Sequence, residues 1–316
     1  MYKYRLFYAG YDRDNDIEQI GVGLSQDLSN WILSKKNPIV PLGFSGSGDL
    51  KQTSNPCVLK KDGVYKMWYQ GKSSHNKLGV FYAESKDAES WDGKEFPVLE
   101  YSENSDLNEY RLGYQHPHVL FDENKNKYFM WCSLTINSKT SIYFAESIDG
   151  ISWQVKNESV LSPEYVWEGD HVIYPMVLKE EGIYKMWYAG KSKNGMWSIG
   201  FAESYDGLVW KKQQDPIIHS FNTPKILRRS FEFICKIVGK EFEIPLSGIA
   251  SVNVWKEDGK YKLLAHEVGT HGRLYIPIYE STNGIKWKKT KNNIFKGIVF
   301  SKWDRFFQGD PYLYVE

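Results

Sequence analysis

Apolar and polar side chains alternate with a period of two along most of this 316-residue chain, in short runs broken by turn residues. "YKMWYAG" (184–190) and "SIGFAES" (198–204) are two such runs, and each reads as a strand with one face buried. A helical period is confined to "KILRRSFEFICKIVGK" (225–240), which predicts one helix inside an insertion at 219–247.

The alternating runs repeat. "YKMWYAGKSKNGMWSIGFAESYDGLVWKK" (184–212) has counterparts starting at Tyr4, Tyr65, Tyr128 and Tyr261, a period of about 50–65 residues. Every copy but the N-terminal one opens with a run ending in a turn such as "KKDG", "FDEN" or "KEEG", and the Asp-Gly and Glu-Gly pairs among them suit a tight hairpin. The "YKMWYAG" strand, a polar loop, the "SIGFAES" strand and a "SYDGLVW" turn into a short last strand follow. Four antiparallel strands repeated radially predict an all-β, five-bladed β-propeller. The N-terminal copy lacks a first strand and "WDRFFQGDPYLYVE" (303–316) is a first strand without successors. The C-terminal strand is therefore expected to pair with the N-terminal blade of residues 2–41 and remove an open edge, making residues 1–316 one domain.

Composition narrows the function. Lys and Arg number 40 against 39 Asp and Glu, a net charge of +1, which argues against nucleic acid or an anionic membrane as partner. No apolar run is long enough for a membrane helix, and "MYKYRLFYAG" reads as a strand rather than a signal peptide. Cys57, Cys132 and Cys235 are too few and scattered for a disulfide framework or a zinc site, so buried free thiols and a cytoplasmic location are expected. Aromatic residues make up 16% of the chain and suit both sheet surfaces and sugar pockets.

The recurring blade, "DG" turn then "YKMWYAG", "SIGFAES" and "SYDGLVW", resembles the five-bladed propellers of glycoside hydrolase families 32, 43, 62, 68 and 130 over essentially the whole chain. Six-bladed sialidases carry a related turn but space Asp and Trp five apart, whereas Asp149/Trp153 and Asp206/Trp210 are four apart. The resemblance implies an active site at one end of the central channel, with acids directly before a proline on successive blades. Two carboxylates flanking the scissile bond would protonate the leaving oxygen and attack or activate water. Aligned on the turns, the matching positions here are Asn55, His116, Tyr174, Ser251 and Asp310, and only Asp310-Pro311 keeps the acid. The usual acidic triad is not preserved: "Gln-His-Pro" (115–117) and "Ile-Tyr-Pro" (173–175) stand where two of the family's acidic motifs fall.

Other residues then become candidates. The loops after each second strand face the same mouth, and Glu267 stands where its counterparts are Gly71 and Gly190. Asp170 and His171 lack counterparts in the other copies, unlike Glu168, Asp304 and Asp49, which recur at one offset and read as structural. Asp310, Asp170 and Glu267 are therefore the candidate catalytic carboxylates. Asn55, His116, His118, His171, Tyr174, Arg111, Lys191, His266 and His271 are the candidate substrate contacts. Convergence of Lys72, Lys191, Arg13, Arg111 and Arg273 would favour an anionic sugar. No spacing matches a metal motif; no cofactor is expected beyond a possible structural calcium in the channel.

The expected function is a carbohydrate-active enzyme, a glycosidase-like hydrolase or a related transferase or phosphorylase acting on a small sugar or oligosaccharide. The alternatives are a catalytically degenerate propeller that binds a glycan or sugar nucleotide, and a non-hydrolytic sugar-modifying enzyme that uses histidines.

Overall fold

The computed structural model describes residues 2–12, 14–44, 49–73, 77–100, 111–219, 248–268, 274–291, 293–294, 304 and 307–316. The predicted helix at 225–240, Cys235 and all of the 219–247 insertion except His219 lie outside them, as do His271, Arg273 and Arg13. Among the described residues the fold is all-β apart from one 3-10 turn, Val166–Glu168. None of their helices is long and apolar enough to cross a membrane.

The strands are β1 (Tyr4–Asp12), β2 (Ile17–Ser25), β3 (Trp31–Leu33), β4 (Gln52–Lys61), β5 (Val64–Lys72), β6 (Leu78–Ser85), β7 (Trp91–Gly93) and β8 (Leu99–Glu100). They continue with β9 (Arg111–Asp122), β10 (Lys127–Ile136), β11 (Lys139–Ser147), β12 (Gln154–Val155), β13 (His171–Glu180), β14 (Ile183–Lys191), β15 (Trp197–Ser204) and β16 (Lys211–Lys212). The last are β17 (Gly248–Glu257), β18 (Lys260–Val268), β19 (Leu274–Tyr275), β20 (Ile278–Ser281), β21 (Lys288–Lys291) and β22 (Phe307–Val315).

Consecutive strands pair antiparallel in repeated units: β4 to β7, β9 to β12, β13 to β16, and β17, β18, β20 and β21. The first unit takes its inner strand from the other end of the chain. β22 pairs with β1 from Tyr4↔Val315 to Tyr11↔Phe307, and β1 continues into β2 and β3. Single parallel contacts, Glu18↔Gln52, Leu78↔Gly113 and Thr140↔His171, join the first four units into a 17-stranded sheet.

The hairpins follow from the turn residues. Asp62-Gly63, Glu181-Gly182 and Asp258-Gly259 all have both φ angles positive, between 50° and 81°, the conformation of a two-residue turn whose twist matches its strands. The Ser-x-Asp turns close equally locally. Ser147 Oγ donates to Asp149 at 2.8 Å, and the amides of Ile151 and Ser152 donate to the same carboxylate at 2.8 and 2.7 Å.

Packing between units is written into the repeat. Each second-strand tryptophan donates its indole N–H to the turn glycine of the next unit: Trp68 to Gly150 at 2.7 Å, Trp131 to Gly207 at 2.9 Å, Trp187 to Gly284 at 2.8 Å. A methyl group on these glycines would stand 2.9–3.0 Å from the indole. Where the turn residue is larger, the tryptophan is absent: Ala88 faces a cluster containing Phe7, and Leu28 one containing Leu264. That last cluster also holds Tyr4, Leu6 and Ile278, so the unit nearest the C-terminus packs on the first. Tyr4 adds a hydrogen bond of 2.6 Å across the same boundary to Glu257.

Candidate active site

The innermost strand of every unit is interrupted by a bulge. Register slips between Ser54 and Cys57, between Ile173 and Met176, between Ala250 and Asn253, and opposite Trp131/Ser133 and Phe7/Ala9. Each bulge leaves one non-glycine residue left-handed: Asn55 (φ 52°), His116 (52°), Tyr174 (57°), Ser251 (49°) and Asp310 (48°). Such a conformation costs on the order of 1 kcal/mol per residue, and strain of this kind concentrates where side chains must be aimed. The five side chains, with the residues that follow them, line one cavity of about 40 Å³. That volume is room for about three water-sized groups.

Asp310 is the only carboxylate among the lining residues. It is 9% exposed, and its pKa is pushed up to about 7, first by burial and then by the negative charge of Glu18, with a hydrogen bond from Ser251 opposing. It thus holds a proton near neutrality in a water-poor site. Tyr174 is raised by the same causes: burial, then Asp310 and Glu18.

His116 lies against Tyr174, ring centroids 4.1 Å apart, and Gln70 Oε1 accepts its backbone N–H at 3.4 Å. His116 Nδ1 is buried without a hydrogen-bond partner. Burial lowers its pKa to about 3, so the ring is a neutral hydrogen-bonding group at pH 7. His118 also lines the cavity, but its Nε2 donates to the Val177 carbonyl at 2.9 Å and its pKa is about 4, which leaves it a neutral strut.

The remaining candidates do not converge on this cavity. Glu267 is buried, and both its oxygens accept from Lys289 Nζ, at 2.9 and 2.6 Å, so an ion pair locks it away from the column. Asp170 is exposed and does not line the cavity. His171 bonds Thr140 Oγ1 at 2.9 Å, in a chain running through Thr135 to Gln115. His266 sits opposite Ala250, with its pKa lowered to about 4 by burial. Lys191 stands 5.3 Å from the Trp197 ring. Arg111 begins β9, and its side chain lies outside the described residues. No Lys or Arg lines the cavity, so the cationic convergence that would favour an anionic sugar is not found among the described residues.

The recurrent acids are structural. Tyr188 donates to Glu168 at 2.7 Å, Tyr8 to Asp304 at 2.8 Å and Tyr69 to Asp49 at 3.1 Å, each carboxylate being fully buried. Cys57 and Cys132 are buried free thiols. Among the described residues no group of three or more His, Cys, Asp or Glu is placed to hold a metal ion, and the cavity column offers Asp310 as its one charged oxygen donor.

Glu18 is the functional candidate missed in the sequence. It accepts a hydrogen bond from Gln52 Nε2; Gln52 also donates to Ser54 Oγ at 3.0 Å, as does Asn55 Nδ2. Glu18 borders a neighbouring cleft of about 230 Å³ with Lys51 and Lys72. A signal was available: Glu18 lies seven residues before the serine of its Ser-x-Asp turn, where the other copies carry Leu78, Thr140, Trp197 and Leu274.

Comparison with known proteins agrees with this architecture. A thermostable family-43 glycoside hydrolase superposes with a TM-score of 0.65 at 18% identity, covering 91% of this chain and 89% of that one. An exo-1,5-alpha-L-arabinanase from a bovine ruminal metagenomic library does so at 0.58 and 12%, covering 91% and 93%. The chain has the fold of the propeller glycosidases. Within that fold, the family model described as beta-1,4-mannooligosaccharide phosphorylase matches residues 127–244. A glycoside hydrolase of the mannoside phosphorylase family 130 that targets beta-1,2 mannosidic linkages in Candida mannan superposes at a TM-score of 0.56 and 12% identity, covering 80% and 75%. An uncharacterized protein of Mycobacterium tuberculosis is 28% identical over 197 residues. That match spans 58% of this chain and 62% of the relative, less than two thirds of the relative's length.

Proposed function

We propose that this chain is a carbohydrate-active enzyme that cleaves a glycosidic bond of an oligosaccharide bound over the cavity, with Asp310 as the general acid. The observation that carries the reading is a single buried carboxyl at the cavity, its pKa raised to about 7. A leaving sugar oxygen needs a proton, and a carboxyl that retains one near neutral pH supplies it. The reading takes the repeated units as five blades of four strands around one ring, a single domain over residues 1–316.

The acceptor follows from the carboxylate count. Hydrolysis uses a second carboxylate to activate water or attack, whereas inorganic phosphate is itself a nucleophile. With one carboxylate lining the cavity and Glu18 hydrogen-bonded to Gln52 behind it, phosphorolysis is the favoured form, in keeping with the family model matched. The C–O bond to the leaving sugar breaks, Asp310 protonates that oxygen, and a phosphate oxygen bonds the anomeric carbon. The second reading, a glycan-binding propeller without turnover, is favoured by the same shortage of carboxylates. Chemistry run by His116 and His118 is not favoured, because burial makes them weak bases and leaves no imidazolium to act as an acid near neutral pH.

The test is incubation of the purified protein with β-1,4-mannobiose and a panel of other oligosaccharides, with and without inorganic phosphate. A sugar 1-phosphate formed only with phosphate supports phosphorolysis, and free sugar in both supports hydrolysis. Binding without either product would leave the glycan-binding reading.

A further inference from the structure

We propose that Trp197 is the stacking platform for a second sugar ring, one tier above the cavity column. The inference rests on the glycosidic-bond reading and extends it to a subsite that holds the ring beyond the one over Asp310.

The tier is defined by the repeat. Glu18, Leu78, Thr140, Trp197 and Leu274 open, or nearly open, the third strand of their units, each seven residues before the serine of the following turn. Where the register is given, this tier lies opposite Gln52, Gly113 and His171. Those are each three residues before a column residue, namely Asn55, His116 and Tyr174, so the tier stands about 10 Å along the strand from the column. In the fourth unit the same offset leads from Ser251 to Gly248, whose missing side chain makes room for Trp197: a methyl group there would lie 3.0 Å from Trp197 Cβ.

An aromatic path connects the two levels. His116 and Tyr174 are in contact at 4.1 Å at the cavity, and Tyr174 meets Trp197 edge-on with centroids 6.3 Å apart. Trp197 is half-buried, with part of its side chain open to solvent. Lys191 Nζ lies over the ring, 5.3 Å from its centroid. The tier does not need an indole for packing alone, since a buried leucine fills it at Leu78. A sugar presents an apolar C–H face to such a ring, and the electron-rich face of the indole attracts it. The cavity of about 40 Å³ opens outward, so a saccharide seated on it also meets the wall above.

The experiment is calorimetric titration of methyl β-mannoside, β-1,4-mannobiose and β-1,4-mannotriose into wild type, Trp197→Leu and Trp197→Phe. Leucine is the residue this tier already carries twice, and melting temperatures check that each variant is folded. Trp197→Leu should weaken mannotriose about tenfold while leaving methyl β-mannoside unchanged, and Trp197→Phe should recover most of the loss. Equal affinities of wild type and Trp197→Leu for all three sugars overturn the platform while leaving the proposed reaction standing. A uniform loss across the three also overturns it, since that marks a structural role. If wild type neither binds nor cleaves any of them, this inference falls together with the proposed reaction on mannosides.

Discussion

Replacing Asp310 with asparagine should cut oligosaccharide turnover about 100- to 10,000-fold yet make the protein more stable in alkali. The carboxyl rises from 3.8 to about 7 on folding, a change of about 3 pH units, and at 1.36 kcal/mol per unit ionising it in the folded state costs about 4 kcal/mol. The sign follows from proton binding. Between pH 4 and 7 the native state keeps a proton that the unfolded chain has lost, so stability falls as pH rises through this window and the full penalty applies above it. Asparagine fills the same space and never ionises. The stability difference between Asp310→Asn and wild type should therefore grow from about 1.5 kcal/mol at pH 5 to about 4 kcal/mol at pH 8. With an unfolding entropy of about 2.1 cal/mol/K per residue, the larger value raises Tm by about 6 °C. Scanning calorimetry of both proteins across this range reads the curve directly. A Tm difference that stays constant with pH would refute the reasoning, because a purely steric or hydrogen-bonding effect has no reason to follow this titration.

Three further outcomes follow from the geometry. Glu18→Gln removes the charge that helps hold the Asp310 proton, so the alkaline limb of kcat/KM should move to lower pH, and an unmoved limb would separate the two groups. Glu267→Gln weakens the pair with Lys289 and should cost about 1–3 kcal/mol in denaturant unfolding with kcat and KM unchanged; lost turnover in a folded variant would return Glu267 to the site. Gly207→Ala sets a methyl 3.0 Å from Trp131 at φ +81° and should destabilise by about 2 kcal/mol. Adding Trp131→Phe, the combination found at Ala88 and Phe7, should then cost less than the two single effects summed, and strict additivity would contradict the packing rule.

The fold was legible because its devices are local and repeated. Asp62-Gly63 and its counterparts announce their turns by residue type, and the pairing of β22 with β1 follows from one unit lacking a strand and one strand lacking a unit. The column of Asn55, His116, Tyr174 and Asp310 was equally visible, since aligning the repeats on their turns brings it into register. The rest depended on partners far along the chain. Glu267 looked catalytic by replacing a glycine, but Lys289, twenty-two residues later, claims both its oxygens. Asp170 was singled out for lacking counterparts, but the structure places it at an exposed position outside the cavity lining. Glu18 escaped because its carboxylate comes from the third strand, outside the proline column, and reaches the site through Gln52 and Ser54.

The central claim is that Asp310 protonates a leaving sugar oxygen, and its leaving-group dependence tests that most directly. Wild type and Asp310→Asn would be compared on aryl β-mannosides whose phenols range from strongly acidic to weakly acidic, and on β-1,4-mannobiose, with phosphate present. The account predicts that Asp310→Asn loses about 100- to 10,000-fold on mannobiose and on the weakly acidic phenols. It should lose far less on the most acidic phenol, which departs without a proton. Equal losses across the series, or turnover that survives Asp310→Asn on mannobiose, would contradict it.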